Sequence, residues 1–240
     1  MATRAAIVTG GSSGIGYAIA KMLGDEGYGV TIVARRPEKL DAAAAELSKD
    51  VAELEHVAGD MSSEDAVREV VARHRDRFGR LDVLVNNAGV GIGSPVGEIQ
   101  TKHLDMQLAV NLRSIILFYR ECAELLRAAG AEHGNAVVVN LASIAGKSPQ
   151  PWLSVYSAAK AGVIAYTQAM NRELAPEGVK SVALCPGFVD TDMSDWAKDT
   201  VPAAEMLRTS DIAEALRFLL RVSPACVVPE IIFQRPGETI

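Results

Sequence analysis

Thr9-Gly10-Gly11-Ser12-Ser13-Gly14-Ile15-Gly16 follows directly on the apolar run 5–8 and opens into the stripe Ile15, Ala18, Ile19, Met22 and Leu23. The run has the composition of a buried strand and the stripe has helical period. Gly10, Gly14 and Gly16 therefore occupy a tight strand-to-helix turn. Such a turn lets backbone approach a diphosphate, whose charge the helix N-terminus stabilises. Ser12, Ser13 and Ile15 share the turn and join the glycines as candidate contacts. Taken alone, the motif also fits a glycine turn packed beneath a helix. Gly10-Gly11-Ser12-Ser13-Gly14 further matches G-x-S-x-G, the nucleophile elbow of serine hydrolases, with Ser12 as nucleophile. Against that reading, the turn follows the first strand, nothing ahead of it supplies an oxyanion loop, and no histidine lies beyond His133.

Similar β-rich runs recur at 30–34, 54–58, 81–85, 136–141, 179–184 and 227–233. Helical stripes lie between most of them, as in Val67, Val70, Val71 and Phe78, or Val163, Tyr166, Met170 and Leu174. Strand and helix alternating in this way predict an α/β fold: a Rossmann-like, doubly wound parallel sheet of about seven strands with helices on both faces. Ligands bind such sheets at the carboxyl ends of the strands. The polar and glycine clusters all fall at those ends: 10–16, Arg35-Arg36, Asp60, 86–89, Ser143 and Pro186-Gly187. Pro229 lacks an amide hydrogen and belongs at a sheet edge or strand start.

The chain has 240 residues, a length that suits a single domain over 1–240. Its net charge of -6 argues against nonspecific nucleic-acid binding and against attraction to anionic membranes. Aromatic residues make up only 5%, too few for a base-stacking platform. Cys122, Cys185 and Cys226 form no CxxC pair and stand near no histidine at ligand spacing, so no metal site is expected and a reduced, cytoplasmic setting is. His56, His74, His103 and His133 read as structural or solvent-facing. No apolar run is long enough for a membrane helix, and the opening Met-Ala-Thr-Arg leads into no signal-peptide core.

Tyr156 and Lys160 stand one helical turn apart and share a helix face. At ~5 Å and an effective dielectric of ~20, an ammonium stabilises a phenolate by about 3 kcal/mol, or roughly two pKa units. The pair is expected to make a phenol that exchanges protons near neutrality.

The turn 9–16, Asn86-Asn87-Ala88-Gly89, Asn111, Ser143, and Tyr156 with Lys160 occur in the order found in short-chain dehydrogenases/reductases, with the serine thirteen residues before the tyrosine. The chain resembles a single-domain member of that family from residue 5 to about residue 233. The resemblance implies that Tyr156 exchanges a proton with the substrate oxygen while hydride moves at a nicotinamide. It implies that Ser143 hydrogen-bonds that oxygen, that Lys160 binds the nicotinamide ribose and tunes the tyrosine, and that Asn111 holds a water linking the lysine to solvent. Asp60 and Met61 are assigned to the adenine, Asn87, Ala88 and Gly89 to the strand end beside the ribose, and Pro186, Gly187, Val189 and Thr191 to the nicotinamide amide. Asp60 also suits a cap on the helix beginning near Ser62.

Cofactor choice turns on Ala34-Arg35-Arg36. An acidic residue there binds the ribose 2'-hydroxyl of NAD, whereas arginine accommodates the 2'-phosphate of NADP. Ala34 fills the acidic position, so NADP is expected and NAD is less favoured. Val90, Ile92, Ile144, Trp152, Leu153, Phe188, Met193, Trp196 and Met206 suggest an apolar pocket, with residues from about 190 to 210 as its cover. The resulting expectation is an NADP(H)-dependent reductase of a ketone or 3-oxoacyl carbonyl, assembled as a homodimer or homotetramer. A dinucleotide-binding regulator of minor activity is the rival, although none of its usual losses among the four catalytic residues is seen.

Overall fold

A computed structural model describes residues 3–238. Seven strands make one sheet: β1 (Ala5–Thr9), β2 (Gly29–Ala34), β3 (Leu54–Ala58), β4 (Val83–Asn86), β5 (Ala136–Leu141), β6 (Val179–Pro186) and β7 (Glu230–Phe233). They lie in the order β3-β2-β1-β4-β5-β6-β7, and every pairing is parallel. The doubly wound sheet expected from the alternation is the one observed. The chain builds outward from β1 to β3, then returns to place β4 on the other side of β1. That reversal opens a crevice at the carboxyl ends of β1 and β4, the usual ligand position in such sheets.

Seven α-helices cover the two faces: α1 (Gly14–Asp25), α2 (Pro37–Leu47), α3 (Glu64–Phe78), α4 (Thr101–Leu108), α5 (Ser114–His133), α6 (Ser154–Leu174) and α7 (Thr209–Arg221). The pleat sends alternate strand residues into two separate cores. Val8, Val85 and Val139 pack with Leu23 of α1, Leu40 of α2 and Leu216 of α7. Ile7, Leu84 and Val138 pack on the opposite face with Val70 of α3, Phe118 of α5 and Val163 of α6. Both faces are dry, which is why these strands read as unbroken apolar runs.

Two strands start later than the sequence expectation. β4 starts at Val83 rather than 81, because buried Asp82 ends the apolar run. Its carboxylate accepts the Ala5 amide at 2.7 Å, takes two hydrogen bonds from Arg80 and lies 2.9 Å from His133. The last strand spans only Glu230–Phe233. Pro229 stands just ahead of it and accepts the Ala183 amide at 3.0 Å, so this edge strand enters the ladder through a carbonyl. The helix expected near Ser62 starts at Glu64, capped by the Ser63 hydroxyl rather than by Asp60.

His74 continues the buried stripe of α3 and is fully enclosed. Its Nε2 lies 2.9 Å from the Arg80 carbonyl and its Nδ1 2.7 Å from the Thr31 hydroxyl. A neutral ring satisfies both contacts, donating to the carbonyl and accepting from the hydroxyl. Burial pushes its pKa down to about 4. The unfolded chain therefore binds the extra proton first, and stability falls as pH drops from about 6.5 toward 4. Between pH 7 and pH 5 this one group should remove about 2 kcal/mol of stability. Urea unfolding at the two pH values should show that loss in wild type and a smaller one in His74→Gln.

Candidate active site

β1 delivers the chain into the glycine turn, and close approach dictates the glycines. Gly10 and Gly14 have φ of 67° and 56°, in the left-handed region. A Cβ at Gly16 would lie 2.3 Å from the Gly10 carbonyl, and one at Gly10 would lie 2.6 Å from the Asn87 amide nitrogen. Two side chains fasten this turn to the end of β4. The Thr9 hydroxyl accepts the amides of Asn87 and Ala88 at 2.9 and 3.0 Å. It donates to the Val85 carbonyl at 3.2 Å. Asn87 Nδ2 returns a bond to the Thr9 carbonyl at 2.9 Å. Gly10, Ser12, Ser13, Gly14 and Ile15 consequently stand together with Asn87, Ala88 and Gly89 on one open cleft of about 1070 Å³. Gly16 lies behind them as the packing contact.

Ala34, Arg35 and Arg36 reach the same cleft from the end of β2. Both arginines are exposed, and Arg36 forms the start of α2 with Pro37 at its first position. Asp60 and Met61 border the cleft beyond β3. Asp60 accepts the Ser62 amide at 3.0 Å, which fixes the loop, while Met61 is buried. On the far wall, the Thr191 methyl would lie 3.1 Å from a Cβ at Gly14. Val189 is buried beneath it, and the Gly187 amide is held by the Phe233 carbonyl at 2.9 Å. No histidine lines this cleft among the described residues, so Ser12 has no imidazole beside it.

The residues expected to do chemistry gather beside the cleft from four elements. Asn111 lies in a π-helical turn (Ala109–Arg113) between α4 and α5. Fully buried, it clamps Val90 by accepting the Val90 amide at 3.0 Å and donating to its carbonyl at 2.8 Å. A Cβ at Gly89 would stand 3.0 Å from the Asn111 oxygen and 3.7 Å from the Lys160 ammonium. Ser143 follows β5, accepts the Ala145 amide at 3.1 Å, and donates to the Pro186 carbonyl at 3.5 Å. Tyr156 and Lys160 share one face of α6.

Their electrostatics differ from the expectation. Burial is the main influence on Tyr156 and raises its pKa, with the neighbouring Ser143 hydroxyl opposing the rise. Lys160 donates at 2.5 Å to the Leu141 carbonyl, and its ammonium lies 5.6 Å from the centre of the tyrosine ring. The expected lowering of the phenol by that ammonium is not seen in the free chain, where burial sets the direction. Burial acts on Lys160 in the opposite sense, pulling its pKa down to about 8.

The family profile described as short chain dehydrogenase matches residues 4–201. The chain belongs to the short-chain dehydrogenase family. It is 34% identical over 245 residues to a putative ketoacyl reductase of Streptomyces coelicolor, covering 94% of this chain and 93% of the relative. An actinorhodin polyketide ketoreductase with NADPH superposes with a TM-score of 0.87 at 31% identity, covering 97% of each chain. A 3-ketoacyl-(acyl-carrier-protein) reductase from Brucella melitensis complexed with NADH gives 0.87 at 30% identity, covering 96% of each. This short-chain dehydrogenase is accordingly an oxidoreductase.

Sequence reading of this short-chain dehydrogenase passed over two supports of the site. One is Thr9, quoted as the first residue of the turn but not as its fastening. The other is a buried polar ladder from Asn86 through Asn140 to Tyr119 and Ser181, with links of 2.8 to 2.9 Å. Asn in two neighbouring apolar strands was the available signal, since a buried amide requires partners.

The buried ammonium has a measurable consequence. In the unfolded chain Lys160 binds its proton up to a pKa near 10.5, and in the fold only to about 8. Stability therefore rises as pH climbs through that window, and below it the fold carries the full penalty of a buried charge. Lys160→Met should stabilise the protein by roughly 1 to 3 kcal/mol at pH 7, after allowing for the lost bond to Leu141. Urea unfolding at pH 7 and pH 10 should show that advantage shrinking at the higher value.

Proposed function

We propose that this chain is an NADP(H)-dependent reductase that interconverts a ketone or 3-oxoacyl carbonyl with its alcohol. The observation that carries the reading is the Tyr156 phenol, its pKa raised by burial against the opposing neighbouring Ser143 hydroxyl, one helical turn from a buried ammonium.

The glycine cradle fits a dinucleotide: side chains at Gly10 or Gly16 would fill the place where backbone meets the Asn87 amide. Ser12, Ser13 and the amino end of α1 would hold the diphosphate. Arg35 and Arg36 would hold a 2'-phosphate, with Ala34 leaving room where NAD enzymes place a carboxylate. Asp60 and Met61 would border the adenine. Asn87, Ala88 and Gly89 would flank the ribose, which Lys160 would also bind. Pro186, Gly187, Val189 and Thr191 would face the carboxamide. When bound, the nicotinamide supplies or accepts the hydride. Ser143 and Tyr156 both offer hydroxyl groups to the carbonyl oxygen. Tyr156 gives up its proton as negative charge develops there, and the Lys160 cation stabilises the phenolate left behind. Asn111 positions Val90 with its side-chain amide, and the family resemblance would have a water beside it reach Lys160 for proton resupply. The segment from about 190 to 210 would cover the substrate. Relatives named as ketoacyl reductases support the reaction class, and the arginine pair supports NADP. The same reading places the enzyme in the cytoplasm as a homodimer or homotetramer, supported by its free cysteines and by exposed Ile116 and Phe218.

Tyr156→Phe removes the transferable proton and should lower kcat by ~10² or more while leaving NADPH affinity intact. Stopped-flow turnover with a parallel fluorescence titration of NADPH reads both; normal turnover by the folded variant would refute the mechanism.

A guanidinium on the 2'-phosphate is worth about 1.5 to 3 kcal/mol, so NADPH should exceed NADH in kcat/KM by roughly 10 to 200-fold. Ala34→Asp combined with Arg35→Ala should narrow or reverse that ratio. Steady-state kinetics with both cofactors decide it, and equal efficiencies in wild type would make the arginines a solvated helix start.

A further inference from the structure

The sequence contains two tryptophans, and both stand at the mouth of this site. Trp152 lies two residues before α6 and four residues before Tyr156. Trp196 belongs to a short 3-10 turn (Asp192–Ala197) after β6. Their rings meet edge to face at 5.2 Å, and Trp196 meets Phe188 in the same manner at 5.7 Å. The two indoles remain 46% and 57% exposed, so much of their apolar surface is uncovered.

The local backbone is shaped to hold Trp152 there. Its φ of 57° makes it the one non-glycine residue with positive φ among those described. A bulky side chain is disfavoured in that region, and such outliers persist only where surroundings fix them. The Ser94 amide donates to the Trp152 carbonyl at 2.7 Å. A Cβ at Gly93 would lie 1.9 Å from the indole, so the ring rests directly on bare backbone. The same loop borders the Tyr156 ring, which a Cβ at Gly91 would approach to 3.7 Å. At the opposite end, Phe188 stands two residues beyond Pro186, whose carbonyl accepts the Ser143 hydroxyl. The three rings thus form an arch with one foot beside the tyrosine and the other beside the serine.

Five carboxylates (Asp190, Asp192, Asp195, Asp199 and Glu205) accompany the arch, with Lys39, Lys198, Arg208 and Arg235 against them. Lys198 is held at 2.9 Å from Asp190 and 2.8 Å from Asp195, Lys39 at 3.8 Å from Asp192, and Arg235 at 3.9 Å from Glu205. Three of these four cations are thus engaged by rim carboxylates, and the rim offers little free positive charge to a phosphate-bearing carrier while leaving neutral molecules unaffected.

We propose that Trp152, Trp196 and Phe188 form a recognition site for the ring of an aromatic ketone, and that the substrate is a free neutral molecule rather than an acyl group on an anionic carrier. This rests on the carbonyl-reductase reading above. Aromatic rings gain from edge-to-face contact beyond the area they bury, whereas a saturated ring of similar bulk does not.

Two measurements test it. With NADPH, acetophenone should exceed both cyclohexyl methyl ketone and acetoacetyl-coenzyme A in kcat/KM by roughly 10-fold. Trp196→Leu, and Trp152→Gly, which tolerates the left-handed backbone, should each erase most of the preference over the cyclohexyl ketone. In the second measurement, acetophenone is titrated into protein loaded with NADP+, where no turnover occurs. Emission from the two tryptophans should be quenched saturably, against a linear response from free N-acetyltryptophanamide. A preference for the cyclohexyl ketone or the thioester, equal losses on both ketones in the variants, or linear quenching would overturn the proposal. The reductase reading fails separately, if no carbonyl consumes NADPH; the fluorescence titration still reads the arch in that case.

Discussion

The end of β1 and the end of β4 are tied together by Thr9 and Asn87, and every other part of the site takes its place from that suture. One threonine hydroxyl serves two amides and a carbonyl, so the glycine turn and the Asn87 to Gly89 segment are held as one surface. The sheet reversal creates a crevice at this point. The suture sets its floor, and the missing side chains at Gly10 and Gly16 keep it open. Gly89 then carries the surface onward to Asn111 and Lys160, linking the cleft to the residues of α6.

Lys160 shows what a buried charge costs the fold. A buried ammonium costs free energy, and its hydrogen bond to Leu141 offsets only part of that cost. The arrangement keeps a cation beside the phenol of a chain whose packing otherwise favours neutral groups. Asn111 belongs to the same economy of buried polar atoms. Both hydrogen-bonding atoms of its side-chain amide are spent on Val90, and the π-helical turn puts the residue where that is geometrically available.

The parts legible in the sequence were those encoded locally. Seven apolar runs separated by helical stripes determine a doubly wound sheet, and the spacing of Tyr156 and Lys160 places them on one helix face. Ser143, Asn111 and the cleft residues were brought together as the order of motifs implied. Less legible was whatever depends on distant partners. Spacing revealed the lysine's proximity to the tyrosine but not its enclosure, so the direction of the phenol's pKa was misread. Asp60 gave the right loop and the wrong cap, because Ser63 three residues on is the better acceptor for the first turn of α3. The strained backbone at Trp152 had no signature at all, since a tryptophan is an unusual residue for a left-handed turn.

The suture between Thr9 and Asn87 joins residues 78 positions apart. Closing so long a loop demands a large entropy loss before any contact repays it, and chains dominated by such pairings fold slowly. The nucleotide-facing floor is nonetheless complete once the chain has reached Gly89, well before Ser143 or Tyr156 has emerged during synthesis. The order in which the ribosome releases the segments thus matches the order in which the site is assembled: the platform first, the Ser143 and Tyr156 hydroxyls afterwards.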